Sequence, residues 1–231
     1  MDEVYDLVVI GAGPAGEVAA ELAAAFGRRV LVVERDKPGG VVTTTGGAPT
    51  KALREAAVAL TGYRQEEVYG VRVAVPLNEV LRILRARVER VRDVLQEAVG
   101  HRLAARGIGY LQGTACLGRA RTVRVTSSDG VEHRLTARAV LVATGSRPTH
   151  FAGVPFDDPD VYDSDQVYSL RTVPEDIVVV GGGAIGVEFA SVLTALGIPA
   201  TLISRSDRLL PAVDGELAEL AAEEFQRRGV S

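Results

Sequence analysis

Four consecutive apolar residues, Leu7-Val-Val-Ile10, run into a glycine turn, Gly11-Ala-Gly-Pro-Ala-Gly16, and then into an alanine-rich stretch that ends at Gly27. A second apolar run begins at Val30 and closes on Glu34. Short runs that are apolar at every position predict strands buried on both faces of a parallel sheet, and the alanine-rich stretch between them predicts the crossover helix. The pattern therefore predicts a βαβ unit. It returns later in the chain: Ile177-Val-Val-Val180, a turn holding Gly181, Gly183 and Gly186, a helix ending at Gly197, and the strand Ala200-Thr-Leu-Ile203.

Between the two copies the periodicity changes twice. Leu77, Leu81, Leu84, Val88, Val91 and Leu95 recur at spacings of three and four with Arg and Glu between them. This predicts an amphipathic helix from Leu77 to about Arg106, either continuous or broken near Gly100, whose stripe serves core packing. Short strands are then predicted at Tyr110–Cys116, Thr122–Thr126 and Val131–Leu135, with a turn at Asp129-Gly130, which together read as a β-meander. Ala139-Val-Leu-Val142 predicts a further sheet strand that meets a glycine turn at Gly145. The stretch from Pro155 to Thr172, rich in Asp, Pro and Ser, predicts a linker. The fold class is α/β.

Gly11, Gly13 and Gly16 fit the dinucleotide fingerprint: the first allows the tight turn, the second lets the backbone approach a pyrophosphate, and the third lets helix and strand pack closely. Glu34 stands about where an acid takes the adenosine ribose hydroxyls, roughly 20 residues on. At the corresponding place in the second copy the acid is replaced by Ser204, followed by Arg205 and Arg208. Loss of the acid removes repulsion toward a 2′-phosphate and a guanidinium can pair with it, so NADPH is expected there, with NADH possible. Two such units predict one dinucleotide that stays and one that visits. Between Gly39-Gly40 and Lys51 lies a loop of glycine and threonine, and Pro49 and Thr50 suit a helix start. Its backbone N–H groups suit an anion or a polarised ring edge. Lys51, one turn inside, is either a surface charge or a cofactor contact.

Composition narrows the classes. The 231 residues are 47% hydrophobic and carry a net charge of −4 with both signs interspersed, so there is no basic footprint for nucleic acid and no polybasic membrane patch. No apolar run approaches the ~18 residues of a membrane span, and the first strand begins too near Met1 for a signal peptide, so a cytoplasmic protein is expected. Cys116 is the single cysteine, which rules out a disulfide within the chain, and its apolar setting predicts inert packing. His101, His133 and His150 are not at metal-ligand spacing, and no metal is expected.

The run Gly39-Gly40, then Gly46, then Pro49-Thr50-Lys51 resembles the active-site segment of the class I FAD-dependent pyridine nucleotide-disulfide oxidoreductases, the family of glutathione reductase and dihydrolipoamide dehydrogenase. That segment normally carries two cysteines, and here Val42 and Gly47 stand in their places. Without a thiolate at either position, disulfide exchange has no nucleophile. Glu17, Lys51-Ala-Leu-Arg-Glu-Ala56, Thr61-Gly-Tyr63, Val68-Tyr-Gly70 and Tyr162-Asp-Ser-Asp165 are similar to the soluble pyridine nucleotide transhydrogenase branch of the family.

The resemblance implies a doubly wound FAD-binding domain with an inserted meander over residues 1–150, a linker over 151–173 and the first part of a Rossmann-like NAD(P)-binding domain over 174–231. It implies hydride transfer between NADPH and NAD through FAD, by a ping-pong route that needs no side-chain nucleophile. FAD contacts are implied for Gly11, Gly13, Pro14, Ala15, Gly16, Glu34, Arg35, Gly40, Lys51, Ala115, Thr144, Gly145 and Ser164. Nicotinamide nucleotide contacts are implied for Gly181, Gly183, Ile185, Gly186, Glu188, Ser204 and Arg205, with Lys51 and Glu188 paired beside the reactive ring as the catalytic charges.

The resemblance covers essentially all 231 residues, yet only the N-terminal half of the family's length. A fragment or split subunit is therefore expected, with an exposed sheet edge and a need for a partner; the full-length form is expected to be a homodimer. Two alternatives stay open: another flavin reductase of the family, acting on a quinone or dihydrolipoamide-like acceptor, or a non-catalytic half that needs the other to work.

Overall fold

The computed structural model describes residues 4–60, 70, 76–170 and 172–231. Thr61-Gly-Tyr63 and Val68-Tyr69 of the sequence reading lie outside them. The chain falls into two compact units, Met1–Ala48 with Val91–Thr149, and Pro49–Arg90 with His150–Ser231.

The first unit is built on a six-stranded sheet. In chain order its elements are β1 (Val4–Ile10), α1 (Pro14–Ala25), β2 (Val30–Glu34), the short α2 (Gly40–Thr44), the later part of α4 (Leu77–Ala105), β3 (Gly109–Gln112), β4 (Thr114–Leu117), β5 (Thr122–Thr126) and β6 (Glu132–Val142). The strand order is β3-β2-β1-β6-β5-β4. β1 runs parallel to β2, with Leu7 opposite Val30 and Ile10 opposite Val33, and parallel to β6 on its other side. β4, β5 and β6 are antiparallel neighbours. The all-apolar strands alternate their side chains between two cores. Val8, Ile10, Leu31 and Val33 meet Val123, Val125 and Leu135 on one face. On the other, Val9, Val30 and Val32 meet Ala20 of α1 and Val99 and Leu103 of α4.

Three details differ from the sequence expectation. The predicted strand Tyr110–Cys116 is two strands divided at Gly113, whose N–H donates to Glu34 O at 2.8 Å; an added Cβ there would lie 2.7 Å from Thr126 O. β3 thus stays beside β2 while β4 turns to pair with β5. The predicted strands Val131–Leu135 and Ala139–Val142 are one continuous β6, because its first half pairs with β5 and its second half with β1. Cys116, expected to pack inertly, is exposed on the edge strand β4, next to Ala115, which packs on the core. The long helix α4 runs unbroken through Gly100.

The second unit contains most of α3 (Ala48–Leu60), the first part of α4, β7 (Ile177–Val180), α5 (Ala184–Ala195), β8 (Ala200–Ile203) and α6 (Gly215–Arg227). β7 and β8 are parallel, Ile177 opposite Ala200 and Val180 opposite Ile203. Ala57 of α3, Val80 and Leu84 of α4 and Phe189, Val192, Leu193 and Leu196 of α5 form its core. Ala190, Ala200 and Val230 form a smaller cluster against Phe225. The other face of the β7–β8 pair exposes Val178, Val180 and Ile203. Among the described residues no helix is long and apolar enough to cross a membrane.

Candidate functional site

At the end of β1 the chain turns sharply into α1, and the three glycines of the turn answer to different demands. Gly11 has φ +106, and a Cβ there would lie 2.3 Å from Ala143 O; a Cβ on Gly16 would lie 1.9 Å from Gly11 O. The fold itself requires both. Gly13 has an ordinary extended backbone, φ −74, and the nearest atom to an added Cβ is Gly40 Cα at 3.7 Å. Among the described residues no protein atom explains its missing side chain. Pro14 opens α1 and Ala15 is exposed beside it.

Two loops close on this turn. Gly39 N–H donates to Ala12 O at 2.7 Å, and a Cβ on Gly40 would lie 2.8 Å from Gly13 Cα. Glu34, at the end of β2, accepts from Ala12 N–H through Oε2 at 2.7 Å and from Asp36 N–H through Oε1 at 2.9 Å. Gln112 Nε2 donates to Asp36 O at 3.0 Å, and Arg35 pairs with Asp36 at 3.0 Å. Burial, followed by the charges of Glu34 and Asp36, pushes the Tyr110 hydroxyl up to about 12, so the phenol is neutral beside two carboxylates. Thr144 and Gly145 follow β6, with Gly145 in the left-handed region at φ +72. Ala115 lies on β4, half-buried against the core. Glu17 accepts from Arg102 Nε of α4 at 2.7 Å.

Val42 and Gly47, where the family's cysteines would stand, are backbone neighbours: an added Cβ on Gly47 would lie 2.4 Å from Val42 O and 2.7 Å from Val42 Cα. That space admits no side chain at 47. Local packing has adapted to glycine there.

In the second unit, Lys51 on α3 and Glu188 on α5 form an ion pair, Nζ lying 3.0 Å from Oε1 and 3.1 Å from Oε2. Lys51 is 63% exposed and Glu188 24%. The preceding residue, Thr50, is buried and shares a hydrogen bond of 2.8 Å with the Tyr168 hydroxyl, and the Tyr168 ring meets Phe189, the neighbour of Glu188, edge to face at 5.8 Å. This buttress was not foreseen in the sequence, because Thr50 and Tyr168 are 118 residues apart and no local pattern links them. Ser164 sits in a turn organised by Asp163, whose Oδ1 accepts from the N–H groups of Asp165 and Gln166 at 2.9 Å each. Asp163 Oδ2 lies 2.9 Å from Nε2 of His150, whose ring stacks on Phe156 at 3.8 Å. Burial would raise the Asp163 carboxyl, but the hydrogen bonds from His150, Gln166 and Asp165 outweigh it and hold it below the ordinary carboxylate value.

The second glycine turn repeats the first. A Cβ on Gly186 would lie 1.9 Å from Gly181 O, whereas no atom of the described residues lies within 4 Å of a Cβ on Gly183, which has φ −82. Ile185 is exposed beside it. After β8, Ser204 Oγ accepts from Ser206 N–H at 3.1 Å, Arg205 is exposed, and Arg208 donates to backbone carbonyls of its own loop. No group of His, Cys, Asp and Glu suited to a metal occurs among the described residues.

Residues 5–231 match the family model described as pyridine nucleotide-disulphide oxidoreductase. The chain is 37% identical over 217 residues to the soluble pyridine nucleotide transhydrogenase of Mycobacterium bovis, covering 93% of this chain and 46% of that protein. It is 35% identical over 225 residues to the dihydrolipoyl dehydrogenase of Bacillus subtilis, covering 97% and 49%. Among solved structures, the Cu(II) complex of an HOCl-induced flavoprotein disulfide reductase from Escherichia coli superposes with a TM-score of 0.81 at 27% identity, over 99% of this chain and 48% of that one. The chain thus spans about half the length of the relatives it matches.

Proposed function

The chain belongs to the pyridine nucleotide-disulphide oxidoreductases, and from that premise we propose that it moves hydride between NADPH and NAD by way of FAD, as a soluble NAD(P) transhydrogenase or the half of one. The observation that carries this reading is the pair of strand, glycine turn and helix units whose middle glycines, Gly13 and Gly183, would meet no clash with the described residues if they carried a side chain. A pyrophosphate against the backbone accounts for both.

FAD, when bound, supplies the hydride-accepting and hydride-donating chemistry. In the first unit the residues fit it: the α1 N-terminus offers N–H groups and the positive end of a helix to a diphosphate. Glu34 is fixed beside that turn by Ala12 N–H and reads ribose hydroxyls. Gly40 keeps the neighbouring loop close, while Arg35, Ala115, Thr144 and Gly145 complete the contacts that the resemblance assigns within this unit. In the second unit Gly181, Gly183, Ile185 and Gly186 receive the nicotinamide nucleotide, and Ser204 and Arg205 admit the 2′-phosphate. Lys51 and Glu188 present a fixed charge pair for the transferring hydride, and no side-chain nucleophile is required.

Val42 and Gly47 favour this reading over dithiol oxidation, because neither carries a thiolate. The test is the reconstituted chain with NADPH as donor and a thio-analogue of NAD as acceptor, beside a quinone. Reduction of the analogue supports the transhydrogenase reading; turnover with the quinone alone replaces it.

A further inference from the structure

The segment between β8 and α6 is tied down on the second glycine turn. Leu210 N–H donates to Gly182 O at 2.7 Å, and Val213 N–H donates to Leu210 O at 2.8 Å. A Cβ on Gly182 would lie 2.6 Å from Ser204 Oγ and 3.1 Å from Leu209 Cδ2, so the two stretches are in close contact. Leu210 adopts φ +50, a conformation a leucine keeps only where its surroundings enforce it.

Arg208 ties down the residues that follow Leu210. Its Nη2 donates to Pro211 O at 3.1 Å and Val213 O at 3.3 Å, and a Cβ on Gly215, the first residue of α6, would lie 2.9 Å from its Nη1. Arg208 is therefore committed to its own backbone. Arg205, three residues earlier, is exposed and makes no hydrogen bond or ion pair among the described residues.

With Arg205 taken, as proposed above, as the guanidinium that meets the 2′-phosphate, we propose that Arg208 is a positioning residue for specificity, folding residues 204–213 onto Gly182 so that Arg205 is held at the end of β8. This rests on reading the second glycine turn as the nicotinamide nucleotide site. A flexible arginine must be ordered before it can pair with a phosphate, and a loop fixed in advance lowers that ordering cost. Arg208 thus sets the preference for the 2′-phosphorylated nucleotide without touching it.

Two measurements on the full chain test this. The first needs no nucleotide: hydrogen exchange of the Leu210 amide is expected to be slow in the wild type and fast in Arg208→Ala, with β7 and α5 unchanged. Equal exchange in both proteins overturns the brace. The second is a cycle of NADPH and NADH dissociation constants for Arg205→Ala, Arg208→Ala and the double variant. Arg205→Ala is expected to weaken NADPH about tenfold and leave NADH within about twofold. Arg208→Ala is expected to weaken NADPH about fivefold, and the double variant to bind NADPH no worse than Arg205→Ala. Additive losses overturn the proposal by making Arg208 an independent phosphate contact. A wild type that binds neither nucleotide while its Leu210 amide is protected overturns the site reading, and with it the specificity role, but not the brace.

Discussion

Lys51 and Glu188 are 137 residues apart in the chain, yet the lysine ammonium lies within 3.1 Å of both carboxylate oxygens of the glutamate. Next to the pair, Thr50 shares a hydroxyl to hydroxyl bond with Tyr168, whose ring meets Phe189 edge to face. An ion pair with so exposed a lysine contributes about 1 kcal/mol or less to stability. Its value lies in the charge it fixes. Lys51→Met and Glu188→Gln are each expected to slow reduction of bound flavin by NADPH about tenfold, equivalent to about 1.4 kcal/mol, while shifting the melting temperature by only about 2–4 °C. Stopped-flow absorbance and thermal unfolding check the two halves of this expectation; an unchanged rate removes the pair from the site.

The glycines of each turn are expected to separate into fold and ligand classes. Gly16→Ala forces a methyl group to 1.9 Å from Gly11 O and is expected to destabilise the chain by about 3 kcal/mol. Gly13→Ala, with no atom nearer than 3.7 Å, is expected to change stability by about 0.5 kcal/mol or less and to weaken FAD about tenfold or more. Gly186→Ala and Gly183→Ala are expected to repeat the contrast for the nicotinamide nucleotide. Urea denaturation and ligand titration measure the two effects separately.

Both glycine turns, their strands and their helices were legible in the sequence because an unbroken apolar run, a glycine triad and an alanine-rich helix are all local signals. The division at Gly113 and the continuity of β6 were not, since the first is decided by the partner strands β2 and β5 and the second by β5 and β1, rather than by the residues concerned. Lys51 was raised by its place one turn inside the glycine and threonine loop, but Glu188 and its pairing with Lys51 entered through family resemblance, since on its own Glu188 reads as a surface charge. The tasks of Tyr168 and Arg208 escaped altogether. One depends on a contact across the unit, the other on carbonyls that every loop possesses.

The segment at Val42 and Gly47 is expected to resist the return of a side chain. Gly47→Ala places a methyl group 2.4 Å from Val42 O and is expected to cost about 1–3 kcal/mol, read as a lower urea midpoint. If it unfolds like the wild type, the close contact of these two residues is not a constraint.

Asp163 gives the stability a specific acid dependence. Its carboxyl titrates below the ordinary value in the folded chain, so its contribution is complete above the unfolded value of about 3.9 and fades as the pH falls through the lower folded value. Asp163→Asn is expected to lose about 1 kcal/mol at neutral pH and to show a flatter decline below about pH 4. Parallel acid titrations of unfolding free energy decide it.

The central claim, that this chain holds a flavin able to take hydride from NADPH, is tested most directly by the visible absorption spectrum of the chain with FAD, recorded anaerobically before and after NADPH. The account predicts flavin bands that stay with the protein through gel filtration and bleach on addition of NADPH. A protein that remains colourless after incubation with FAD, or bound flavin that NADPH leaves oxidised, would contradict it.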